Sequence, residues 1–356
     1  MTKKEPKVSL VIIHYNTPHY LKTCLDNIFR QTYRNIEVFF IDNNSPDKSG
    51  VEFVKASYKK EISQKRLKVI SNKDNLGYAK AANQGIDLAK DSDYVVITNP
   101  DIIYSPSYFE KTVHRAEKNP HIAAITGKVL KYDFKEKTPT KIIDTVGLYI
   151  DKSLRVTDGA QGVLDKGQFD REKAVFGVSG ACPMYRRTAL DDVCLSQPSS
   201  DGKKAGEYMD KDFFMYKEDV DLSWRFQLYG WTCWYYPKAV AFHGRGTGVI
   251  ERRTLRQVLR NRKHLSKFQR YYSYRNQHLM NLKNTPVLTY LRYFPHILIK
   301  DLLSVAYTIF YEPFLFKAMW EYIKMAPGMM KKRKKIMKNK KASTRLLNKW
   351  MKARTE

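Results

Sequence analysis

The sequence is poor in cysteine and has no long apolar run, and both absences narrow the class of protein. Its four cysteines lie far apart and show no Cys-x-x-Cys spacing (Cys24, Cys182, Cys194 and Cys233). We therefore expect reduced thiols in a cytosolic protein, not a disulfide framework or a zinc site. The longest uncharged stretch of the C-terminal part, LLSVAYTIFY, is well short of the roughly 20 apolar residues that a membrane-spanning helix needs.

Three other signals are missing. The N-terminal MTKKEPKVSL runs directly into a strand pattern without an apolar signal core, so we do not expect secretion. No Gly-x-Gly-x-x-Gly follows the first strand, which disfavours a nicotinamide-dependent dehydrogenase. No aromatic RNA-binding signature such as Lys/Arg-Gly-Phe-Gly-Phe accompanies the basic residues, which disfavours nucleic acid as the partner.

Acidic residues are scarce in the C-terminal part of the chain. Residues 251–356 contain 26 Lys and Arg against 5 Asp and Glu, whereas residues 1–250 contain 38 against 31. The net charge of +28 is therefore carried mostly by the C-terminal part. A basic segment of this kind favours an anionic partner, which leaves nucleic acid and an anionic membrane surface as the two candidates.

Apolar, β-branched runs alternate with helical patterns over residues 8–101. This alternation predicts an α/β protein with right-handed crossovers and a parallel sheet that is covered on both faces. The carboxyl ends of parallel strands meet at one edge of a sheet and form a ligand crevice there. Three polar clusters follow the predicted strands at this edge: HYN, DNNS and NPD.

The stretch MYKEDVDLSWR brings three carboxylates together (Glu218, Asp219 and Asp221). Acidic residues are favourable at a helix start, so a solvated helix terminus is one explanation. A catalytic base is the other. Asp221 and Arg225 lie four residues apart, and an ion pair on the helix surface accounts for both of them.

Seven segments resemble, in the same order, the motifs of family 2 glycosyltransferases, which are inverting enzymes with the GT-A fold. The resemblance covers residues 8–284 and implies a Rossmann-like, mostly parallel sheet with helices on both faces. The forms DNNS and NPD are similar to the branch that uses dTDP-L-rhamnose in bacterial polysaccharide assembly. The segments are VSLVIIHYN, IDNNS, NLGYAKAANQGI, TNPD, GVSGACPMYRR, KEDVDLSWR and AFHGRG.

The resemblance implies a site for a nucleotide-sugar donor. It assigns Tyr15 to stacking on the base and Asp42 to accepting a hydrogen bond from a base N–H, roles that suit an aromatic ring and a carboxylate. Asn99 is expected to bind ribose or phosphate, since it replaces the first Asp of the family's Asp-x-Asp triplet. The other residues expected to contact the donor are Asn16, Asn44, Asn75, Gly77, Gly180 and Ala181.

The resemblance also implies a divalent cation, Mg²⁺ or Mn²⁺, that neutralises the leaving diphosphate. Asp101 is the remaining carboxylate of the triplet, and His243 is expected to supply a second ligand. Oxygen and imidazole ligands together with diphosphate oxygens suit either ion. The family's Glu-Asp motif makes Asp219 the general base and Glu218 its neighbour that holds the acceptor or the metal shell. Three arginines, Arg186, Arg187 and Arg245, face either phosphate or solvent.

The C-terminal part predicts membrane association. Aromatic, aliphatic and basic residues are interleaved over residues 287–325, as in helices that lie in the membrane interface, and KKRKKIMKNKK adds basic charge. We expect a catalytic domain over residues 1–250, a basic helical extension over 251–285 and an amphipathic membrane-associating region over 286–356. The predicted location is the cytoplasmic face of the cell membrane, with a polyprenyl-diphosphate-linked saccharide as acceptor. A UDP-sugar donor (galactose or N-acetylglucosamine) and a nucleic-acid-binding protein are the alternatives.

Overall fold

The computed structural model describes residues 5–199, 205–244, 262 and 264–351. The predicted boundary after residue 250 and Arg245 of the AFHGRG motif lie outside the described residues. The strands are β1 (Val8–His14), β2 (Ile36–Asp42), β3 (Leu67–Ser71), β4 (Tyr94–Thr98), β5 (Ile102–Tyr104), β6 (Ile122–Asp133), β7 (Thr138–Thr145), β8 (Leu148–Ile150), β9 (Val156–Asp158), β10 (Lys173–Val175), β11 (Met184–Arg186) and β12 (Thr232–His243).

Among the described residues, seven helices belong to the sheet-bearing part and four follow it. The first set is α1 (Pro18–Phe29), α2 (Ser49–Ser57), α3 (Lys59–Ser63), α4 (Tyr78–Leu88), α5 (Tyr108–Glu117), α6 (Arg187–Asp192) and α7 (Glu218–Leu228). The second set is α8 (Lys267–Asn284), α9 (Val287–Tyr311), α10 (Phe316–Lys338) and α11 (Thr344–Trp350), with short 3-10 turns at Lys211–Phe213 and Pro313–Leu315.

A ten-stranded sheet forms the centre, in the order β10-β12-β6-β11-β4-β1-β2-β3, with β5 paired to β12 and β7 to β6. The β3-β2-β1-β4 half is entirely parallel. The other half is mixed, because β11 runs antiparallel between β4 and β6. Parallel pairing sets His14 level with Asp42, so the polar ends of β1 and β2 meet at one edge of the sheet.

Strand β1 is buried on both faces, as its unbroken apolar run predicts. Leu10 and Ile12 join the core beneath α1, whereas Val11 joins the core beneath α4. A side chain at Gly85 would come within 2.2 Å of Val11, so α4 can lie this close to the sheet only with glycine there. The predicted α/β class, with helices on both faces of the sheet, is confirmed.

The predicted helical C-terminal region is present. Helix α8 begins with a capping box between Ser266 and Gln269, which satisfies the amide groups of its first turn. Helices α8 and α10 pack against each other and against the sheet-bearing part, while α9 leaves much of its apolar surface exposed. Among the described residues, no helix is both long and apolar enough to cross a membrane.

Candidate active site

The carboxylate of Asp42 lies at the end of β2 and is completely buried. His14 accepts a hydrogen bond from the backbone N–H of Thr17 at its Nε2 (3.2 Å), so its Nδ1 carries the proton and donates to Asp42 (3.0 Å). Burial lowers the pKa of His14, although Asp42 opposes the shift. Ser45 also donates to Asp42, from its hydroxyl at 2.5 Å. The structure thus adds His14 and Ser45 as supports of this carboxylate.

Tyr15, Asn16 and Asn44 surround this carboxylate at the mouth of the crevice. Tyr15 is 46% exposed, which leaves its ring available for stacking. Asn16 and Asn44 both have left-handed backbones (φ 54° and 62°), a conformation that asparagine tolerates in tight turns. Asp42 accepts hydrogen bonds from His14 and Ser45, and its role as a direct acceptor for a nucleobase stays a prediction.

Asn43 links the β2 turn to the loop before α4, a role that the sequence analysis did not assign. Its amide group donates to Asn75 (2.9 Å), and its carbonyl oxygen accepts from the Leu76 N–H (3.1 Å). Asn75 also accepts from the N–H of Gly77 (3.0 Å). Gly77 has φ 77°, and a Cβ there would lie 2.4 Å from the Phe214 ring. Asn75 and Gly77 therefore shape this loop, and their predicted contact with the donor stays a prediction.

Asp101 and His243 come together at the opposite side of the crevice, as predicted. Antiparallel pairing of β5 with β12 brings His243 beside Ile102, and His243 Nε2 lies 3.3 Å from Asp101 Oδ2. On its other side, His243 Nδ1 lies 2.8 Å from the buried carboxylate of Asp144. Asn99 follows β4 just before Asp101 and is partly exposed. Asp144 was missed because it is 99 residues from His243 in the chain.

This arrangement fits a divalent cation. The Asp144 carboxylate orients the imidazole through Nδ1 and directs Nε2 towards Asp101, as outer carboxylates do for metal-binding histidines. Burial opposes a charge on His243, but hydrogen bonds to Asp101 and Asp144 raise its pKa to about 9, so a cation bound at Nε2 would replace the proton held there. The side chain of Asp101 is 22% exposed, so its oxygens are accessible from the crevice. An oxygen and an imidazole nitrogen are ligands that Mn²⁺ and Mg²⁺ accept together with phosphate oxygens.

Asp219 lies in the first turn of α7 with both carboxylate oxygens held by backbone amides. Its Oδ2 accepts from the N–H of Gly180 and its Oδ1 from the N–H of Val220, both at 2.7 Å. A Cβ at Gly180 would lie 3.3 Å from Oδ2, so glycine keeps this approach open. Ala181 is only 2% exposed and belongs to the hydrophobic core. Gly180 therefore lies beside Asp219, whereas the predicted contact of the buried Ala181 with the donor stays a prediction.

Burial raises the pKa of both carboxyl groups at the start of α7. For Glu218, burial and then the charge of Asp219 raise the pKa to about 8. For Asp219, burial raises the pKa, while the Gly180 amide acts in the opposite direction. One carboxyl oxygen of Glu218 is buried and has no hydrogen-bond partner among the residues that the structure describes. Glu218 is thus neutral near pH 7, with polar capacity left for a ligand.

Tyr78 lies at the start of α4 and is affected by the acidic residues of the site. Burial, followed by the carboxyl groups of Glu218, Asp219 and Asp101, raises its pKa well above the ordinary value. Its hydroxyl is buried and has no hydrogen-bond partner in the described part of the chain. Tyr78 is therefore a candidate site residue that the sequence analysis did not name, on the basis of its buried hydroxyl. The sequence did contain a signal for Tyr78, because it is an aromatic residue with a hydroxyl group within the motif NLGYAKAANQGI.

The turn before α7 is strained. Phe214, Tyr216 and Lys217 have φ values of 63°, 70° and 73°, and none of them is glycine. Each left-handed residue of this kind costs on the order of 1–3 kcal/mol and persists only where its surroundings enforce it. Helix α7 starts with Glu218 directly after this turn. The position of Asp219 therefore depends on whatever stabilises the turn.

The Asp221–Arg225 ion pair is present, but its predicted location on the helix surface is wrong. Both side chains are completely buried, and Arg225 Nε lies 3.1 Å from Asp221 Oδ2. Arg225 also donates to the carbonyl oxygens of Val193 (2.7 Å) and Tyr208. The pair is buried because α7 is covered on both sides, by the sheet and by α8, and the sequence spacing alone does not show this.

Arg186 and Arg187 bind protein groups instead of facing the crevice. Arg186 donates to the backbone carbonyl oxygen of Ile122 at 2.9 Å. Arg187 pairs with Asp191 and donates to the hydroxyl of Tyr208, both at 2.7 Å. Both guanidinium groups are therefore used within the fold.

A second acidic group lies outside the crevice. Glu207, Asp210 and Asp212 place carboxylate oxygens within 4.8 Å of one another, a spacing that also suits a cation. The ammonium of Lys332, from α10, lies 2.6 Å from Glu207 and 2.9 Å from Asp212 and bonds Asp210 as well. The positive charge of this group is thus supplied by Lys332, so we do not assign a metal to it.

Several proteins resemble this chain in sequence. An uncharacterized glycosyltransferase of Haemophilus influenzae is 37% identical over 122 residues, which cover 34% of this chain and 36% of that protein. The glycosyltransferase GlyG of Streptococcus pneumoniae is 32% identical over 35% of this chain and 40% of its own length. The chain thus matches well under half the length of these two relatives. An N-acetylglucosaminyl-diphospho-decaprenol L-rhamnosyltransferase of Mycobacterium tuberculosis is 25% identical over 66% of this chain and 75% of its own length.

Solved structures resemble the fold. TarS of S. aureus (residues 1–349, with UDP) superposes with a TM-score of 0.54 at 14% identity and covers 94% of this chain and 88% of that one. GalNAc-T7 with UDP, GalNAc and Mn²⁺ gives a TM-score of 0.52 at 15% identity, over 85% and 58% of the two chains. These likenesses confirm the predicted GT-A fold. The family model for glycosyl transferase family 2 matches residues 9–194, more than half of the chain, and the chain therefore belongs to that family.

Proposed function

We propose that this protein transfers L-rhamnose from dTDP-L-rhamnose, with inversion, to a lipid-linked saccharide in the synthesis of a bacterial cell-surface polysaccharide. The observation that carries the proposal is the carboxylate of Asp219 at the start of α7, whose two oxygens accept hydrogen bonds from the backbone amides of Gly180 and Val220. The DNNS and NPD motifs and the rhamnosyltransferase relative support the donor sugar and a lipid-linked acceptor.

The proposed base is Asp219. Its carboxylate takes the proton of the acceptor hydroxyl while the hydroxyl oxygen bonds to C1 of the sugar and the bond from C1 to the diphosphate breaks on the opposite face. The amides of Gly180 and Val220 fix the orientation of the carboxylate, and burial raises its pKa, which makes it a stronger base. Glu218 stays protonated near pH 7, so it does not compete for the proton and its hydroxyl can donate to a substrate oxygen.

Asp101 and His243 would hold a divalent cation, and Asp144 orients the imidazole. When bound, the cation neutralises negative charge on the leaving diphosphate. The protein groups perform two tasks at this end of the crevice. Asp101 offers its accessible oxygens, and the Asp144–His243 hydrogen bond sets which imidazole nitrogen faces them.

A thermal-shift panel tests the proposed donor. The protein is heated with dTDP, UDP or GDP, each with Mn²⁺ or with EDTA. A nucleotide at about 100 times its Kd stabilises the native state by about 2.7 kcal/mol, which is readily measured. We expect the largest shift with dTDP plus Mn²⁺ and its loss in Asp101→Asn. A shift confined to UDP would replace the donor by a UDP-sugar, and no shift with any nucleotide would contradict the function.

The exposed face of α9 supports a membrane-bound acceptor. This helix is packed through a narrow face, while the opposite side carries an apolar stripe about 33 Å long. Stripes of this size are rarely left uncovered on soluble proteins. The stripe includes Leu288, Leu291, Leu298, Leu302, Leu303 and Phe310, each at least 41% exposed.

Basic residues adjoin the stripe and favour an anionic lipid surface as its partner. A groove of about 870 Å³ between α9 and α11 is lined by Arg292, Arg345 and Lys349, with Leu288 and Leu346 as apolar neighbours. No acidic residue lines this groove within the described chain. A cationic, apolar surface of this kind matches the headgroup region of a membrane with anionic lipids, where each basic residue contributes about 1 kcal/mol. The enzyme would thus lie on the membrane that holds its acceptor.

A further inference from the structure

Helix α8 binds the strained turn that precedes Asp219. The side-chain amide nitrogen of Asn276 lies 2.9 Å from the carbonyl oxygen of Phe213 and 2.8 Å from those of Met215 and Tyr216. Three carbonyl groups of one short turn therefore converge on a single nitrogen. Asn276 is completely buried, so water does not replace these bonds.

Arg275 fixes the orientation of this amide. Its Nε donates to the Asn276 carbonyl oxygen (3.1 Å), which identifies the nitrogen as the atom that faces the turn. Its terminal Nη2 donates to the carbonyl oxygen of Asp212 (2.9 Å), and its Nη1 lies 2.9 Å from Glu321 of α10. Arg275 and Asn276 of α8 thus bind four carbonyl groups of the turn. These belong to Asp212, Phe213, Met215 and Tyr216.

The same face of α8 is attached to α7. Asn284 donates to Asp221 at 2.7 Å, and Lys283 lies 2.8 Å from the same carboxylate oxygen. Lys283 also pairs with Asp210, at the other end of the turn. The ring of Tyr272 stacks on Phe214 at a centroid distance of 5.3 Å. Contacts at positions 272, 275, 276, 283 and 284 follow the spacing of one helix face, so α8 moves with the turn as a unit.

These contacts explain how three left-handed residues are maintained immediately before the base. Within the described residues, one further backbone hydrogen bond joins the body of the protein to this turn, from the Ala79 amide to the carbonyl oxygen of Phe214 (3.1 Å). Without Asn276, the carbonyl groups of Phe213, Met215 and Tyr216 lose their shared donor, and only that of Phe213 keeps a hydrogen bond from Arg275. Relaxation of the turn then shifts the start of α7, and a small misplacement of a catalytic group lowers the rate strongly.

We propose that Asn276 is a positioning residue for Asp219, and that α8 is part of the catalytic unit. This inference depends on the proposed role of Asp219 as base. The side chain of Asn276 does not touch the carboxylate of Asp219. It acts through the turn, whose last residue, Lys217, precedes α7.

The test compares Asn276→Asp with Asn281→Ala in the full chain. Asp has the shape of Asn but presents an oxygen where the donor nitrogen was, whereas Asn281 lies on α8 and bonds Gln277 of the same helix. Three quantities are measured: kcat with saturating donor and acceptor, the Kd for the nucleotide, and hydrogen exchange of the amides of residues 212–219. Asn276→Ser, which keeps one hydroxyl donor, replaces Asn276→Asp if that variant does not fold.

For Asn276→Asp we expect kcat to fall by about 100-fold, the Kd to change by less than about threefold, and exchange at residues 212–219 to accelerate. Asn276→Ser should retain more activity than Asn276→Asp. The proposal is overturned if kcat stays within threefold of wild type, or if Asn281→Ala loses as much activity. If the wild-type protein transfers no sugar, the proposed function fails. Unchanged hydrogen exchange of residues 212–219 in Asn276→Asp would separately show that Asn276 does not hold the turn.

Discussion

Helices α8 and α9 are consecutive, yet the more polar helix is the more deeply buried. Helix α8 buries Arg275, Asn276 and Lys283, whereas α9 exposes Leu302 and Leu303 by 60% or more. Hydrophobicity alone therefore does not decide which helix is covered. The polar groups of α8 are buried because carbonyl groups and carboxylates of the α7 region satisfy them. The apolar face of α9 has no such partner in the described chain, which fits a surface that meets something else.

The turn that α8 supports precedes Asp219, which we propose to be the catalytic base. Asp219→Asn keeps the shape of the side chain but cannot accept the proton, so kcat should fall by about 10³–10⁴-fold. The Kd for the nucleotide should change by less than about threefold. Steady-state kinetics and calorimetric titration measure the two quantities. Asp91→Asn, on the exposed surface, is the control, and turnover of Asp219→Asn at the level of this control would remove the base assignment.

The buried charge of α8 should stabilise the fold far more than an exposed charge nearby. Lys283→Met leaves the carboxylates of Asp210 and Asp221 buried without this ammonium, so the free energy of unfolding should fall by about 3–5 kcal/mol. Lys341→Met removes an exposed pair with Asp192 and should cost less than about 1 kcal/mol. Urea denaturation measures both. Equal losses in the two variants would mean that the basic residues of the C-terminal region act alike.

The apolar face of α9 should control membrane binding without affecting the fold. Replacing Leu298 and Leu302 by Glu places charge in the middle of the stripe and should lower binding to liposomes with anionic lipid by at least about tenfold. Co-sedimentation at low salt measures this change. Leu88→Glu, which alters an exposed leucine of α4, should bind like wild type. Unchanged sedimentation of the double variant, or no binding by the wild-type protein, would exclude this face as the membrane contact.

Glu218 should make the free energy of unfolding depend on pH. Its pKa in the native protein, about 8, is above the ordinary value of 4.5, so its contribution is complete below pH 4.5 and is lost as pH rises towards 8. The slope is at most about 1.4 kcal/mol per pH unit. Glu218→Gln should show a smaller decline over this window. Denaturation in EDTA at several pH values measures the difference, and parallel curves would show that Glu218 does not titrate in this range.

The parallel strands and the polar clusters at their ends were predictable from local sequence. Buried parallel strands have continuous apolar runs, and the residue after each run must lie at the carboxyl edge of the sheet. Asp101 stands at such a strand end, whereas His243 was expected beside it only from the family resemblance; the two side chains are 3.3 Å apart. Their partner Asp144 was not predictable, because it belongs to β7 and reaches His243 only through pairing of β6 with both β7 and β12.

In the basic C-terminal region, too, contacts between distant residues were not predictable from local sequence. Its charge predicted an anionic partner, and part of that partner is the protein itself. Lys332 pairs with Glu207, Asp210 and Asp212, and Lys283 pairs with Asp210. Composition counts charges but does not show which of them face each other after folding, since that depends on how α8 and α10 pack.

By itself, the sequence determined the α/β class, the alternation of strands and helices over residues 8–101, and which residue types stand at the strand ends. Hydrophobic period and turn residues act over short distances, so they can be read locally. Only the tertiary structure decided the contacts across the chain: Asp144 on His243, Gly180 on Asp219, and Asn276 on the turn before α7. These contacts join residues that are 39 or more positions apart, and their formation depends on the packing of whole elements.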